Sequence, residues 1–430
     1  AEDGIRDRSP SRGLGDVYKR QIPLHSGDCK NTSLDESWVW DVLEKYEPLP
    51  EPVTSSYLPL IRESNRLFEK DFKRLLPPVR SKGPEASGGP LAKTEEIAYD
   101  WLSRGGKRFR PFITLAAYDA MTGGENLKAV DRNGDGLGLP DSVCRVAMAI
   151  EAFHKASLVH DDIQDDDLFR YGRETLHRRY DPGMAINVGD YLIGIGYQLV
   201  HSARQEAGAE VTCDVIDRMA TAHIRLCDGQ GAEMAWHEQD VESITPLEAL
   251  QIYALKTAPA FEAALYAGMR MAGDVSPYAE MIPAFSRHLG VGFQVLNDLK
   301  DWQGDANNKL VAGQDLLAGR PTVMLALAFQ AADDAQREQL RNAMADEGLD
   351  DDARRARLKR LMSDCGVFEQ AEALVDKARV RAESLADEID VEPLRRLLYF
   401  LVDTVLTPED EAATPVPTPE DVLLSLPVAQ

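Results

Sequence analysis

Between about residue 94 and residue 405 the chain is dominated by Ala, Leu, Met, Glu and Arg, and runs of alternating β-branched residues are scarce. Alanine and straight-chain residues lose little freedom on entering a helix, whereas strands favour β-branched and aromatic side chains repeating at period two. The pattern therefore predicts an all-α fold, a single large bundle of about ten or more helices, each of roughly ten to twenty residues. With 44% hydrophobic residues in 430, there is enough apolar material for one sizeable core.

Composition shifts at both ends. Residues 1–21 lack periodicity and resemble translated sequencing-adapter sequence more than a native start, so they are set aside. Residues 22–55 are mixed and proline-containing and read as loop with one short helix. The domain reading is an extension over 1–55, a helical domain over 56–405, and a proline- and acid-rich tail over 406–430. Near the start of the helical domain, Leu60, Ile61, Leu67, Phe68, Phe72, Leu75 and Leu76 form one stripe, predicting a helix ended by Pro77 and Pro78.

Several function classes are excluded. The formal net charge of -24 and pI of about 4.8 argue against a nucleic-acid surface, which would be basic. Five scattered cysteines with no Cys-x-x-Cys pair indicate neither a zinc site nor a disulfide framework, and suit a reducing cytoplasm. No apolar run reaches the ~18 residues of a membrane span. The best candidate, YLIGIGYQLVHSA, is bounded by Asp190 and Arg204. A segment DRNGDG (residues 131–136) opens like a calcium loop, but Ser142 stands where a bidentate Glu is required, so a polar inter-helix loop is the better expectation.

Chemistry concentrates in LVHDDIQDDDLFRYG, Leu158 to Gly172, where five aspartates fall within seven residues after an apolar run. Buried like charges demand a positive partner. If DDIQD is helical, Asp161 and Asp165 share a face one turn apart, while Asp162 points about 100° away. About 135 residues later, GFQVLNDLKDWQGD places Asn297, Asp301 and Asp305 at i, i+4 and i+8. Hard oxygen ligands at such spacing suit Mg2+, which takes one or two protein carboxylates and completes its shell with water and phosphate oxygens. Two such faces opposed across a central active-site cavity would hold several Mg2+ ions and a polyanion, most economically a diphosphate. The alternative for either cluster alone is a solvated acidic face.

Six segments in order resemble the trans-isoprenyl diphosphate synthases of the polyprenyl synthetase family, over roughly residues 60–405. They are GGKRFRP from Gly105, EAFHKASLVHDDIQDDDLFRYG, GQGAE from Gly229, KTA from Lys256, FQVLNDLKD, and GQDLLAGRPT from Gly313. The resemblance implies the isoprenoid synthase fold, a homodimer, and condensation of an allylic diphosphate with isopentenyl diphosphate, assisted by three Mg2+ ions with substrate bound. By matching positions it implies metal ligation by Asp161, Asp165 and Asp301, with Asn297 in a fourth place and Asp162 and Asp305 beside them. It implies allylic-diphosphate contacts from Arg170, Lys256 and Arg320, and an isopentenyl diphosphate pocket of Lys107, Arg110 and His154. Thr257 and Gln294 match polar residues of the reaction site; the family's lysine just before Gly313 is out of register here, with Lys309 its substitute through a shifted loop. Small residues Ala156 and Ser157, one turn before Asp161, imply a cavity long enough for a C20 product, with Phe153 as its floor.

The chain departs from that pattern. The family's second arginine after the acidic cluster is Tyr171, and the usual leading aspartate of the second cluster is Asn297. A tyrosine carries no charge and cannot replace a bidentate phosphate clamp. Two alternatives therefore stay open: a class I terpene synthase-like enzyme that ionises a prenyl diphosphate without condensation, and a non-catalytic subunit of a heteromeric synthase.

Overall fold

The computed structural model describes residues 53–76, 89–90, 92–124, 137–237, 241–243, 245–303, 322–345 and 350–407. Asp305, Lys309, Arg320, the DRNGDG segment, residues 1–52 and the acidic tail from 408 lie outside the described residues. The principal helices are α1 (Val53–Glu69), α2 (Lys93–Ser103), α3 (Phe109–Met121), α4 (Asp141–Gln164), α5 (Pro182–Ser202), α6 (Ala209–His237) and α7 (Pro246–Lys256). They continue as α8 (Ala258–Ala272), α9 (Met281–Gln303), α10 (Val323–Ala331), α11 (Asp334–Ala345), α12 (Asp351–Asp364), α13 (Val367–Asp387) and α14 (Glu392–Leu406). The fold is all-α, as composition requires. Among the described residues the only sheet is a hairpin of two-residue strands, β1 (Phe169–Arg170) and β2 (Arg173–Glu174), too short to leave an alternating pattern.

Helix α8 is the hub. It packs on α3, α4, α6, α7 and α9, so it must be buried on nearly every side. Its sequence APAFEAALYAGMRMA supplies small residues for that purpose. A Cβ on Gly268 would stand 2.2 Å from the Thr114 carbonyl oxygen of α3, so only glycine permits this approach. The Thr114 hydroxyl donates to the Ala264 carbonyl at 3.2 Å across the same contact. The one buried charge on the helix, Glu262, accepts from Arg218 at 2.5 Å and Arg225 at 2.8 Å, both on α6. A buried carboxylate without those partners would be costly.

The first stripe behaves as its spacing predicts in burial but not in continuity. Leu60, Leu67, Phe68, Phe72, Leu75 and Leu76 are all buried. The helix nevertheless ends at Glu69 and restarts for one turn at Phe72–Leu75. Asp71 occupies the break and pairs with Arg66 at 3.4 Å and Arg74 at 3.3 Å. No described helix is long and apolar enough to cross a membrane.

Candidate active site

A cavity of about 420 Å3 lies among α4, α6, α9 and the α7–α8 junction, a size suited to a small organic ligand. Helix α4 lines it with Ile150, Phe153, His154, Ser157 and Asp161. These recur every three or four residues, so they form one helical stripe. Helix α9 lines the same cavity with Phe293 and Gln294. Lys256 and Thr257 enter where α7 gives way to α8. Helix α7 is fixed at its other end by a capping box between Thr245 and Glu248 with Pro246 in the first turn.

Both acid-bearing helices thus reach one cavity. Asp161 lines it directly, and burial pushes its pKa up to about 7 against the pull of Lys256, with Asp165 adding to the rise. Asp165 caps α4 in helical conformation, its N–H donating to the Asp161 carbonyl at 2.8 Å, so the one-turn register of the pair is kept. On α9, Asn297 donates to Gln294 at 3.3 Å, and Asp301, one turn further, is buried. Lys256 is ion-paired with Glu233. Burial opposes its charge, yet Glu233, then Asp161 and Asp165, hold its pKa above the usual lysine value.

Asp162 and Arg170 are paired with each other away from the cavity lining. Rotated about 100° from Asp161, Asp162 is buried off the cavity, and it accepts from Arg170 Nε at 2.7 Å. Arg170 also pairs with Asp167 at 3.1 Å. Its charge is therefore balanced by two carboxylates, and Asp162 serves Arg170 rather than facing the cavity.

The remaining donors suit a hard cation. Among the described residues no three His, Cys, Asp or Glu side chains converge into a closed metal cage. An open site of one or two carboxylates is what Mg2+ takes when phosphate and water complete its shell. Half-buried Asp161 is a hard oxygen donor whose charge burial disfavours, so a nearby cation would stabilise its ionised form.

A second anion position lies beside it. Arg110 lines the cavity, with Nη1 2.9 Å from His154 Nε2. A guanidinium can only donate, so Nε2 accepts and the imidazole is neutral with its proton on Nδ1. Burial, then Arg110, hold the His154 pKa well below the ordinary histidine value. Arg110 Nε is buried without a hydrogen-bond partner, while the Glu151 and Asp161 carboxylates offset part of the burial that lowers the guanidinium's pKa. The unused Nε–H donor of this half-buried guanidinium faces a position that favours an anionic acceptor. Lys107 is exposed on the preceding loop.

Cavity depth follows the α4 stripe. Ser157 lines the cavity and its hydroxyl donates to the His154 carbonyl at 2.9 Å. Ala156, expected beside it, is buried in the core on the adjacent face and does not line the cavity. Phe153 lies one turn below Ser157, its ring edge-on to Tyr197 at 5.0 Å and His223 at 5.7 Å. A Cβ on Gly196 of α5 would stand 2.4 Å from that ring, so the glycine seats it.

Sequence reasoning missed four participants. Glu233, the partner of Lys256, stood in the quoted GQGAE segment. Tyr253 donates to Asp298 on α9 at 2.5 Å and accepts from the Val323 N–H at 3.0 Å, tying α7, α9 and α10 together. Gly196 left no local signal. Lys155 stands in the mixed stretch EAFHKASLVH, so its burial left no clear local signal. It is fully buried, and burial, then Arg108, lower its pKa to about 7.

Comparison with known proteins gives a consistent set. The pattern of the family described as Polyprenyl synthetase matches residues 92–362. The short chain isoprenyl diphosphate synthase of Methanothermobacter thermautotrophicus is 30% identical over 241 residues, covering 56% of this chain and 68% of that protein. The geranylgeranyl diphosphate synthase of Methanosarcina mazei is 30% identical over 250 residues, covering 56% of this chain and 70% of that one. Among solved structures, the geranylgeranyl pyrophosphate synthetase from Pyrococcus horikoshii superposes with TM-score 0.67 at 25% identity, covering 84% of this chain and 100% of that chain.

Proposed function

Because the chain belongs to the polyprenyl synthetase family and is a prenyltransferase, we propose that it condenses an allylic diphosphate with isopentenyl diphosphate to give a trans-prenyl diphosphate, with C20 favoured. The observation that supports the specific reaction is that one largely apolar cavity is lined by Asp161 of α4 and by Lys256 on one side and by Arg110, hydrogen-bonded to His154, on the other, with Gln294 of α9 placed one turn before Asn297.

Asp161, Asp165, Asn297 and Asp301 are assigned to hold Mg2+, expected as three ions with substrate bound. When bound, Mg2+ supplies Lewis-acid neutralisation of the leaving diphosphate. Lys256, steadied by Glu233, contributes fixed positive charge where the negative charge develops. The allylic C1–O bond breaks with its electron pair going to the diphosphate. The double bond of isopentenyl diphosphate, anchored by Lys107, Arg110 and His154, attacks C1. A proton then leaves C2 of the isopentenyl unit for the departing diphosphate, so no protein base is required. Phe153, Ile150 and Phe293 supply an apolar wall that keeps water from the cation. Thr257 and Gln294 border the reacting end.

A homodimer in the cytoplasm belongs to the same proposal. Supporting it are the exposed Ile186 on α5 and Ile224 on α6, apolar side chains suited to a subunit contact, and sedimentation of the purified protein measures the dimer.

The deciding experiment is product analysis by mass spectrometry, with Mg2+, farnesyl diphosphate and labelled isopentenyl diphosphate. A labelled, longer diphosphate supports condensation. A hydrocarbon or alcohol formed from farnesyl diphosphate alone points to ionisation without condensation. No turnover, with Asp161→Ala and Asp165→Ala leaving assembly unchanged, points to a non-catalytic subunit.

A further inference from the structure

The loop between α2 and α3, which carries Lys107, runs through left-handed backbone at three positions and is fastened at both ends. Gly105, Gly106 and Arg108 all have positive φ, at 69°, 87° and 51°. Arginine in the left-handed region is strained, and glycine gains entropy when released from it. At the far end of the loop, Arg108 is anchored by a buried ion pair with Glu151 of α4 at 2.7 Å. At the near end, the anchor is Lys155, one turn further along α4. Its Nζ donates to the Arg104 carbonyl at 2.7 Å and the Gly105 carbonyl at 3.1 Å. Charged or neutral, that amine keeps N–H donors for both bonds.

Tyr171 closes the arrangement from outside. It sits at the tip of the β1–β2 hairpin with φ 53°, followed by Gly172 at 72°, an uncommon conformation for a bulky residue. Its ring lies 4.1 Å from Lys155 Nζ, and the Trp101 ring lies 5.3 Å from the same atom. The Trp101 indole N–H donates to the Lys155 carbonyl at 3.0 Å. A Cβ on Gly105 would stand 2.6 Å from the Tyr171 ring, and one on Gly106 would stand 3.2 Å from its hydroxyl. The two glycines thus form a seat for the tyrosine, and the lysine lies beneath both.

We propose that Lys155 and Tyr171 are positioning residues for the second diphosphate. The lysine amine fastens the loop carbonyls and the tyrosine ring covers them, so Lys107 and Arg110 are presented together to isopentenyl diphosphate. Tyr171 then has a use in condensation despite carrying no charge: it orders the loop that binds the phosphate instead of binding the phosphate itself. The proposal rests on the condensation reaction assigned above.

The test uses Lys155→Met, Tyr171→Leu, Tyr171→Phe and the Lys155→Met/Tyr171→Leu double variant in the full chain. Both substrates are varied, and amide hydrogen exchange is followed at residues 104–108. Each of Lys155→Met and Tyr171→Leu should raise KM for isopentenyl diphosphate about tenfold or more, with KM for the allylic diphosphate changed less than threefold. Because one loop mediates both effects, the double variant should be no worse than the more damaging single, a failure of additivity expected of coupled sites. Tyr171→Phe, which keeps the ring, should recover most of the affinity lost in Tyr171→Leu. Exchange at 104–108 should accelerate in both damaging variants. Equal rises in the two KM values, multiplicative losses in the double variant, or unchanged loop exchange would each overturn the proposal. Tyr171 is 41% exposed, so its variants leave the core intact and decide the matter if Lys155→Met does not fold. If the unmodified protein makes no condensation product at all, the reaction assignment fails. Loop exchange then still decides the clamp.

Discussion

Replacing Ser157 with phenylalanine should shorten the product. Ser157 and Phe153 lie four and eight residues before Asp161 on the cavity face of α4, so at a rise of 1.5 Å per residue they are about 6 and about 12 Å deeper than the diphosphate end. An extended isoprene unit adds four chain carbons, about 5 Å at ordinary single-bond lengths. The natural floor at Phe153 therefore leaves room for between two and three units of allylic substrate, and the last condensation yields C15 to C20. A phenyl ring at position 157 cuts the depth to about 6 Å, or one unit. The variant should accept dimethylallyl diphosphate and stop at C10 to C15. The new ring enters open cavity and not packed core, so the stability cost should stay below the ~1–3 kcal/mol of overpacking. Liquid chromatography with mass spectrometry of labelled products gives the length distribution directly. A Ser157→Phe enzyme that folds normally and still makes C20 in its original proportion would refute the depth argument, because the chain would then run somewhere other than along this face.

Other consequences can be measured separately. Asp161 has its folded pKa raised from 3.8 to about 7; its contribution to stability is therefore fully present below pH 3.8 and lost as pH rises through about 7. In metal-free protein, Asp161→Asn should remove a loss on the order of 2–4 kcal/mol between pH 5 and pH 8, raising the melting temperature at pH 8; with Mg2+ restored, the same variant should lose turnover. An identical pH–stability profile in the two proteins counts against it. Gly268→Ala forces a Cβ within 2.2 Å of a backbone carbonyl and should destabilise the hub helix by ~2–3 kcal/mol, read as a fall in denaturation midpoint at unchanged slope. Gly196→Ala should displace the Phe153 ring, which its new Cβ would meet at 2.4 Å, and change product length without changing KM for isopentenyl diphosphate.

The helical class was readable because helix propensity and period accumulate over hundreds of residues, and the α1 stripe predicted its buried side chains. The break at Asp71 was not readable, since a pair of arginines reaching back to one aspartate leaves the apolar stripe uninterrupted. In the site, Asp161 and Asp165 were legible from four-residue spacing, and the 100° offset already separated Asp162 from them. The same geometry separates Ala156 from Ser157, although the two had been grouped as one small-residue pair. Arg170's commitment to Asp162 and Asp167 depends on the β1–β2 hairpin folding back over α4, which two-residue strands cannot announce. The partnerships of Lys155 with Tyr171 and of Phe153 with Gly196 are contacts between separate elements. No local pattern encodes them: Lys155 sits beside His154 and one turn after Glu151, where a charged side chain does not stand out.

The central claim is that α4 and α9 grip one diphosphate through metal ions. Crystals grown with Mn2+ and inorganic diphosphate, examined by anomalous scattering, test it most directly. Manganese peaks about 2.0–2.2 Å from carboxylate oxygens of Asp161 and of Asp301, joined through oxygens of one diphosphate, are predicted. Manganese bound at only one of the two helices, or a diphosphate seated away from both, would contradict the account.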